Sequence, residues 1–137
     1  MPSFGKKSRD QLATCDNRLQ MVFNEVVKSV DCSILEGYRN EEKQNEAFRK
    51  GNSKVKYPDG RHNSKPCCAV DVLPYPIDWK DYERMTLFAG YVIGTAEQMG
   101  IKLVWGNDWD RDFQTKDTGF KDYPHFELHK DEMDKRE

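Results

Sequence analysis

No stretch of this chain approaches the roughly 20 apolar residues that a membrane-spanning helix needs. No apolar run follows the polar start MPSFGKKSRDQ, as a secretory signal would require. The expectation is a protein without a signal peptide that begins in a cytoplasm and has no membrane partner. An excess of charge of one sign is lacking too. The 22 basic residues against 24 acidic ones leave a net charge of −2, so the cationic field that nucleic-acid binding uses is absent and no nucleic-acid partner is expected. Cysteine is scarce: Cys15, Cys32, Cys67 and Cys68 have neither the spacing of a disulfide framework nor the CxxC pairs of a structural zinc site. Reduced thiols are expected, with Cys67 and Cys68 as small buried strand residues. Repeats and low-complexity tracts are missing. What is present is a 137-residue chain, 34% charged, 36% apolar and 12% aromatic, which suits one globular domain over residues 1–137. Its core is expected at about 10–129, with a charged, frayed tail at 130–137.

The stretch DNRLQMVFNEVVKSV places Leu19, Val22, Phe23, Val26 and Val27 on one helical face behind Asp16 as N-cap. CSILEGYR reads as a short strand ending near Arg39. NEEKQNEAFRKG reads as a helix capped by Asn40 and stopped at Gly51. Residues 52–66 read as a loop, and CCAVDVLPY as a strand closed by Pro74. The strongest periodicity lies in DWKDYERMTLFAGYVIGTAEQMG, where Tyr82, Met85, Phe88, Ala89, Val92, Ile93, Ala96 and Met99 form one stripe that ends at Gly100. IKLVWG is the next strand. Residues 106–124 form a long aspartate-rich loop, of a kind that tends to be functional. HFELH alternates, with Phe126 and Leu128 on one face and His125, Glu127 and His129 on the other. The order α, β, α, β, α, β, β predicts an α+β fold, a small antiparallel sheet with packed helices.

Two of the three histidines lie in HFELH, and the bland reading is a solvent-facing strand edge. Asp71 changes the weighing. It interrupts the apolar strand CAVDVLP, where a carboxylate is costly unless it pairs with an arginine or binds a cation. His62 precedes it in the loop. His62, Asp71 and His125 would supply two nitrogens and one oxygen to a zinc ion, with a position left open for water. Asp122 would then serve as proton acceptor. His129 lies roughly 7 Å further along the strand and is the weaker ligand candidate.

His62 with AlaValAsp71, followed by AspTyrProHisPheGlu over 122–127, resembles the zinc D-alanyl-D-alanine dipeptidase and carboxypeptidase family, and most of all its phage L-alanyl-D-glutamate endopeptidase branch. GlyTyrArg39, ValAspValLeuProTyrProIleAspTrp79 and TrpGlyAsnAspTrp109 carry the same resemblance, which spans roughly 10–129. It implies a Hedgehog-like zinc peptidase fold and one zinc per chain on His62, Asp71 and His125. It also implies Asp122 as catalytic base and Arg39 as the group that steadies the substrate carbonyl. The implied activity is peptidoglycan endopeptidase, a phage endolysin acting on stem peptides. It would be a monomer, kept in the host cytoplasm until a holin-type protein releases it. The alternatives are a D-alanyl-D-alanine carboxypeptidase or dipeptidase with the same metal chemistry, or a zinc-bearing binding module without catalysis. This chain departs from the family at Gly60, where serine is usual, and in a loop between His62 and Asp71 that is two residues longer. Trp105 and Trp109 are expected to anchor the core or the loop more than to line a cleft.

Overall fold

The computed structural model describes residues 2–135. Side-chain caps start its principal helices. Asp16 accepts from the Arg18 amide at the head of α2 (Asn17–Val26), Asn40 from Lys43 at α3 (Glu41–Arg49), and Asp81 from Arg84 at α4 (Tyr82–Gln98). Each cap satisfies an amide that has no partner within its helix. Gly51, at φ +80, follows α3 in the left-handed conformation that ends helices.

The strands β1 (Cys32–Glu36), β2 (Ala69–Pro74), β3 (Leu103–Trp105) and β4 (His125–Leu128) form one antiparallel sheet in the order β1-β2-β4-β3 among the described residues. Alternation divides its side chains. Val70, Val72, Phe126 and Leu128 turn into the core against α2 and α4, where Phe126 meets Phe23 and Phe88 edge-on at 5.6 and 6.2 Å. Fully burying each such side chain is worth about 1.5–3 kcal/mol. Asp71, His125 and Glu127 lie on the other face.

The architecture is the expected α+β one, with differences at both ends. A further helix, α1 (Lys6–Leu12), precedes α2. It buries only Leu12, so it leaves no periodic signature. Its polar side chains hold it instead: Ser8 accepts from the Ile34 amide, Gln11 from Gly37, and Thr14 just beyond it from Tyr38. Where it is described, the start of the tail is helical. His129 leaves the strand to cap α5 (Lys130–Met133), and buried Glu132 takes Arg18 at 3.3 Å and the Lys102 amide at 3.0 Å. Residues 136–137 of that tail lie outside the described residues. Tyr82 departs from its stripe. It is 53% exposed and rests its ring 4.9 Å from that of Tyr123. Cys67 and Cys68 are buried free thiols that precede β2, and the backbone of Cys67 pairs with that of Cys15 in an isolated parallel β-bridge. Among the described residues no helix is long and apolar enough to cross a membrane.

Candidate metal centre

The β2–β4 ladder places Asp71 opposite His125. A register shift between Ile34 and Glu36 brings Glu36 opposite Asp71 on its other side. His62 comes from the loop before β2. Its peptide carbonyl accepts from the Arg39 amide at 2.8 Å, and its Nδ1 donates to the Gly37 carbonyl at 2.7 Å. That hydrogen bond leaves Nε2 as the lone-pair nitrogen. At His125 the pattern is reversed: Nε2 donates to Glu127 at 2.7 Å, so Nδ1 is the nitrogen that faces Asp71 and Asp122.

His62, Asp71 and His125 each offer a ligand atom within 4.8 Å of the others. His62 Nε2 lies 3.2 Å from Asp71 Oδ1, yet no hydrogen bond joins them, and both atoms are buried without a partner. Leaving such atoms unpaired costs about 1–3 kcal/mol each. Two nitrogens and a carboxylate oxygen turned toward a common space therefore fit a divalent ion of the zinc type, which takes this donor set. Burial alone would raise Asp71, but the two imidazoles hold its carboxyl well below the usual range. Burial works downward on His125, while Asp71 and Glu127 outweigh it and hold the imidazole up at about 10.

Asp71 also resolves the pairing question. Oδ1 faces the histidines and Oδ2 lies 3.5 Å from Arg39. Arg39 is fixed further by Glu36 and by Gln44, a buried residue that ties α3 to Ser53 and Val55. A Cβ at Gly60 would come 2.5 Å from Asn63 Oδ1 and 2.6 Å from Gln44 Oε1, so both side-chain ends would have to shift to admit one. Asp122 stands beside the cluster, with Oδ2 3.8 Å from His125 Nδ1, and burial with Asp71's charge behind it lifts its carboxyl to about 6. Its backbone packs directly on Gly106, where any side chain would collide with the Asp122 carbonyl; the two residues also share a 2.8 Å backbone hydrogen bond.

Two cavities meet at Arg39, Phe120 and Asp122, of about 890 and 330 Å³. The larger runs along α3 to Trp79, and the smaller passes His62, His125 and Trp109. Trp105 is buried and donates to the Tyr123 carbonyl, whereas Trp109 both anchors the loop through Phe120 and lines a cavity. Asp108, Asp110 and Asp112 gather elsewhere in that loop, where Asp108 and Asp112 accept amides of its tight turn.

All five residues singled out in the sequence, His62, Asp71, His125, Asp122 and Arg39, thus meet at one place, and His129 is turned away as a helix cap. The sequence reading did not single out Glu36 or Gln44, and it named Trp79 only as the end of a motif, with no role. Only the acidic residue at the end of β1 hinted at the first, and a strand register cannot be read from composition.

A family model described as phage L-alanyl-D-glutamate peptidase matches residues 2–129. The L-alanyl-D-glutamate peptidase of Escherichia phage T5 is 32% identical over 113 residues, covering 78% of this chain and 81% of that protein. The crystal structure of the Serratia marcescens L-Ala D-Glu endopeptidase ChiX is similar at a TM-score of 0.75 and 26% identity, over 96% of this chain and 94% of that one.

Proposed function

The chain belongs to the phage L-alanyl-D-glutamate peptidase family, and from this we propose that it is a zinc-dependent endopeptidase that hydrolyses the L-alanyl-D-glutamate bond of peptidoglycan stem peptides. The observation that carries the reading is the pair of orphaned buried atoms, His62 Nε2 and Asp71 Oδ1, beside His125 and next to a carboxylate of raised affinity for protons, Asp122.

His62, Asp71 and His125 would hold the zinc ion. Bound zinc supplies Lewis acidity, polarising a carbonyl and making water acidic enough to lose a proton near neutral pH. Asp122 takes the proton of the attacking water and delivers it to the leaving amine. Arg39, already held by Glu36, Gln44 and Asp71, offers its guanidinium to the carbonyl oxygen as negative charge develops there. A preorganised donor of this kind is typically worth about 3–4 kcal/mol. The two cavities receive the chain on either side of the bond. Residues 1–137 act as a single monomeric domain with one zinc. In a phage setting this makes an endolysin, resident in the host cytoplasm until a holin-type protein admits it to the wall.

The test is digestion of purified peptidoglycan by zinc-loaded protein. Stem peptides released with a new D-glutamate amino terminus are the expected product. Release of D-alanine alone would replace this reading by a carboxypeptidase, and no turnover of any stem peptide would replace it by a binding module.

A further inference from the structure

Arg61 and Glu127 line the smaller cavity together with His62 and His125. Behind His125, away from Asp71, its Nε2 donates to Glu127 Oε1 at 2.7 Å, and the other oxygen of that carboxylate, Oε2, lies 3.2 Å from Arg61 Nη1. Arg61 is fixed in turn. Its Nη2 donates to the Leu128 carbonyl at 2.5 Å and its Nε to the Cys68 thiol at 3.0 Å. The Arg61 carbonyl accepts from the Cys68 amide at 3.1 Å and is also met by the thiol at 3.3 Å. Arg61 is the residue immediately before His62. A single residue therefore carries one histidine on its backbone and braces the other through its side chain.

Resting on the metal reading above, we propose that Glu127 and Arg61 are positioning residues: Glu127 fixes the ring orientation and tautomer of His125, and Arg61 anchors Glu127 while joining the His62 loop to β4. An ion pair on a protein surface would carry no such meaning, since exposed pairs contribute little. This one is not of that kind. The Glu127 side chain is 14% exposed, and both of its oxygens are engaged on separate partners. An imidazole donating to a carboxylate at its outer nitrogen is directed and made more basic at its inner one, and loss of such a partner typically weakens metal affinity about 10- to 100-fold. Cys68 acquires a role from the same contacts, since its thiol and amide hold Arg61 at both ends.

The experiment measures zinc affinity by competition with a chromophoric chelator, alongside the melting temperature of the metal-free protein. Glu127→Ala is expected to bind zinc about 10- to 100-fold more weakly while melting close to wild type. Glu127→Gln should recover most of the affinity, because its amide oxygen accepts the same ring N–H. Arg61→Met should weaken zinc binding, and the double variant with Glu127→Ala should lose less than the sum of the two single losses, because part of the effect of Arg61 runs through Glu127. Wild-type affinity in Glu127→Ala, in a series where His125→Ala has lost zinc, overturns the proposal and leaves the metal reading standing. Retention of zinc by His125→Ala overturns both. Strictly additive losses overturn the part given to Arg61. A metal-free melting temperature that falls in step with affinity, without rescue by glutamine, reduces Glu127 to a structural residue. Should Glu127→Ala fail to fold, Glu127→Met, similar in size but unable to accept the ring N–H, takes its place: weakened zinc binding there with affinity kept in Glu127→Gln supports the proposal, and equal affinity in the two overturns it.

Discussion

Asp71 and His125 are direct partners across the β2–β4 ladder, with Nδ1 of the histidine 3.5 Å from Oδ1 of the aspartate. Their separation is set by backbone hydrogen bonding and not by loop conformation, which gives a site its precision. The loop-borne members are clamped to the same frame. His62 is held through Gly37 and the Arg39 amide, and Asp122 through Gly106.

Replacing His62 or His125 by alanine is expected to strip the purified protein of zinc, as elemental analysis would show. Three protein ligands are the usual minimum for such a site. His129→Ala should keep its zinc, since that residue caps α5, and should lose about 1 kcal/mol of stability with the cap. Stoichiometric zinc in His125→Ala would sink the ligand assignment.

Asp122→Asn separates metal binding from chemistry. The amide keeps the shape of the carboxylate but takes up no proton, so hydrolysis should fall about 10²- to 10⁴-fold while zinc content and KM stay near wild type. Asp110→Asn, in the same loop but outside both cavities, is the control. Near-normal turnover by zinc-loaded Asp122→Asn would make Asp122 a bystander.

Gly106→Ala should disable the enzyme without removing a polar group. The new methyl collides with the Asp122 carbonyl and pushes that residue off its place. The expected result is zinc retained and kcat reduced, with a stability loss of about 1–3 kcal/mol from the crowding. Unchanged kcat would show that the contact does not position Asp122.

In the metal-free protein His125 is held up at about 10 from the ordinary 6.5. A group raised on folding stabilises fully below its unfolded value, and the contribution is lost as pH rises through the folded one. Urea midpoints of chelator-treated protein should therefore fall between pH 6.5 and 10. The fall should be smaller in His125→Gln. Equal slopes in the two proteins would contradict the raised value.

Much of this was legible in the sequence because it is local. Asp16 and Asn40 announce their helices as caps, and the alternation of HFELH sends Phe126 and Leu128 to the core and His125 and Glu127 to the opposite face. An aspartate within the apolar run of β2 signalled the site because its desolvation demands a partner. The remainder depends on contacts between distant segments. The bulge that turns Glu36 toward Asp71, the burial of Gln44 and the placement of α1 through Ser8, Gln11 and Thr14 have no periodic trace. Tyr82 fell on the apolar stripe of α4 by spacing, but it sits in the first turn, beyond the reach of the core, and packs on Tyr123.

The strand order β1-β2-β4-β3 has a consequence for how the molecule is born. Among the described residues the last strand in chain order is an interior one, inserted between β2 and β3, and it brings His125 with it. Until it arrives, β2 keeps an unpaired edge and the proposed ligand pair His62–Asp71 has no third member. The pairing is long-range, which delays it until the earlier segments have been gathered. Chains stopped before residue 125 should be degraded readily by added protease and carry no zinc. In the full chain, folding and arming are then the same event.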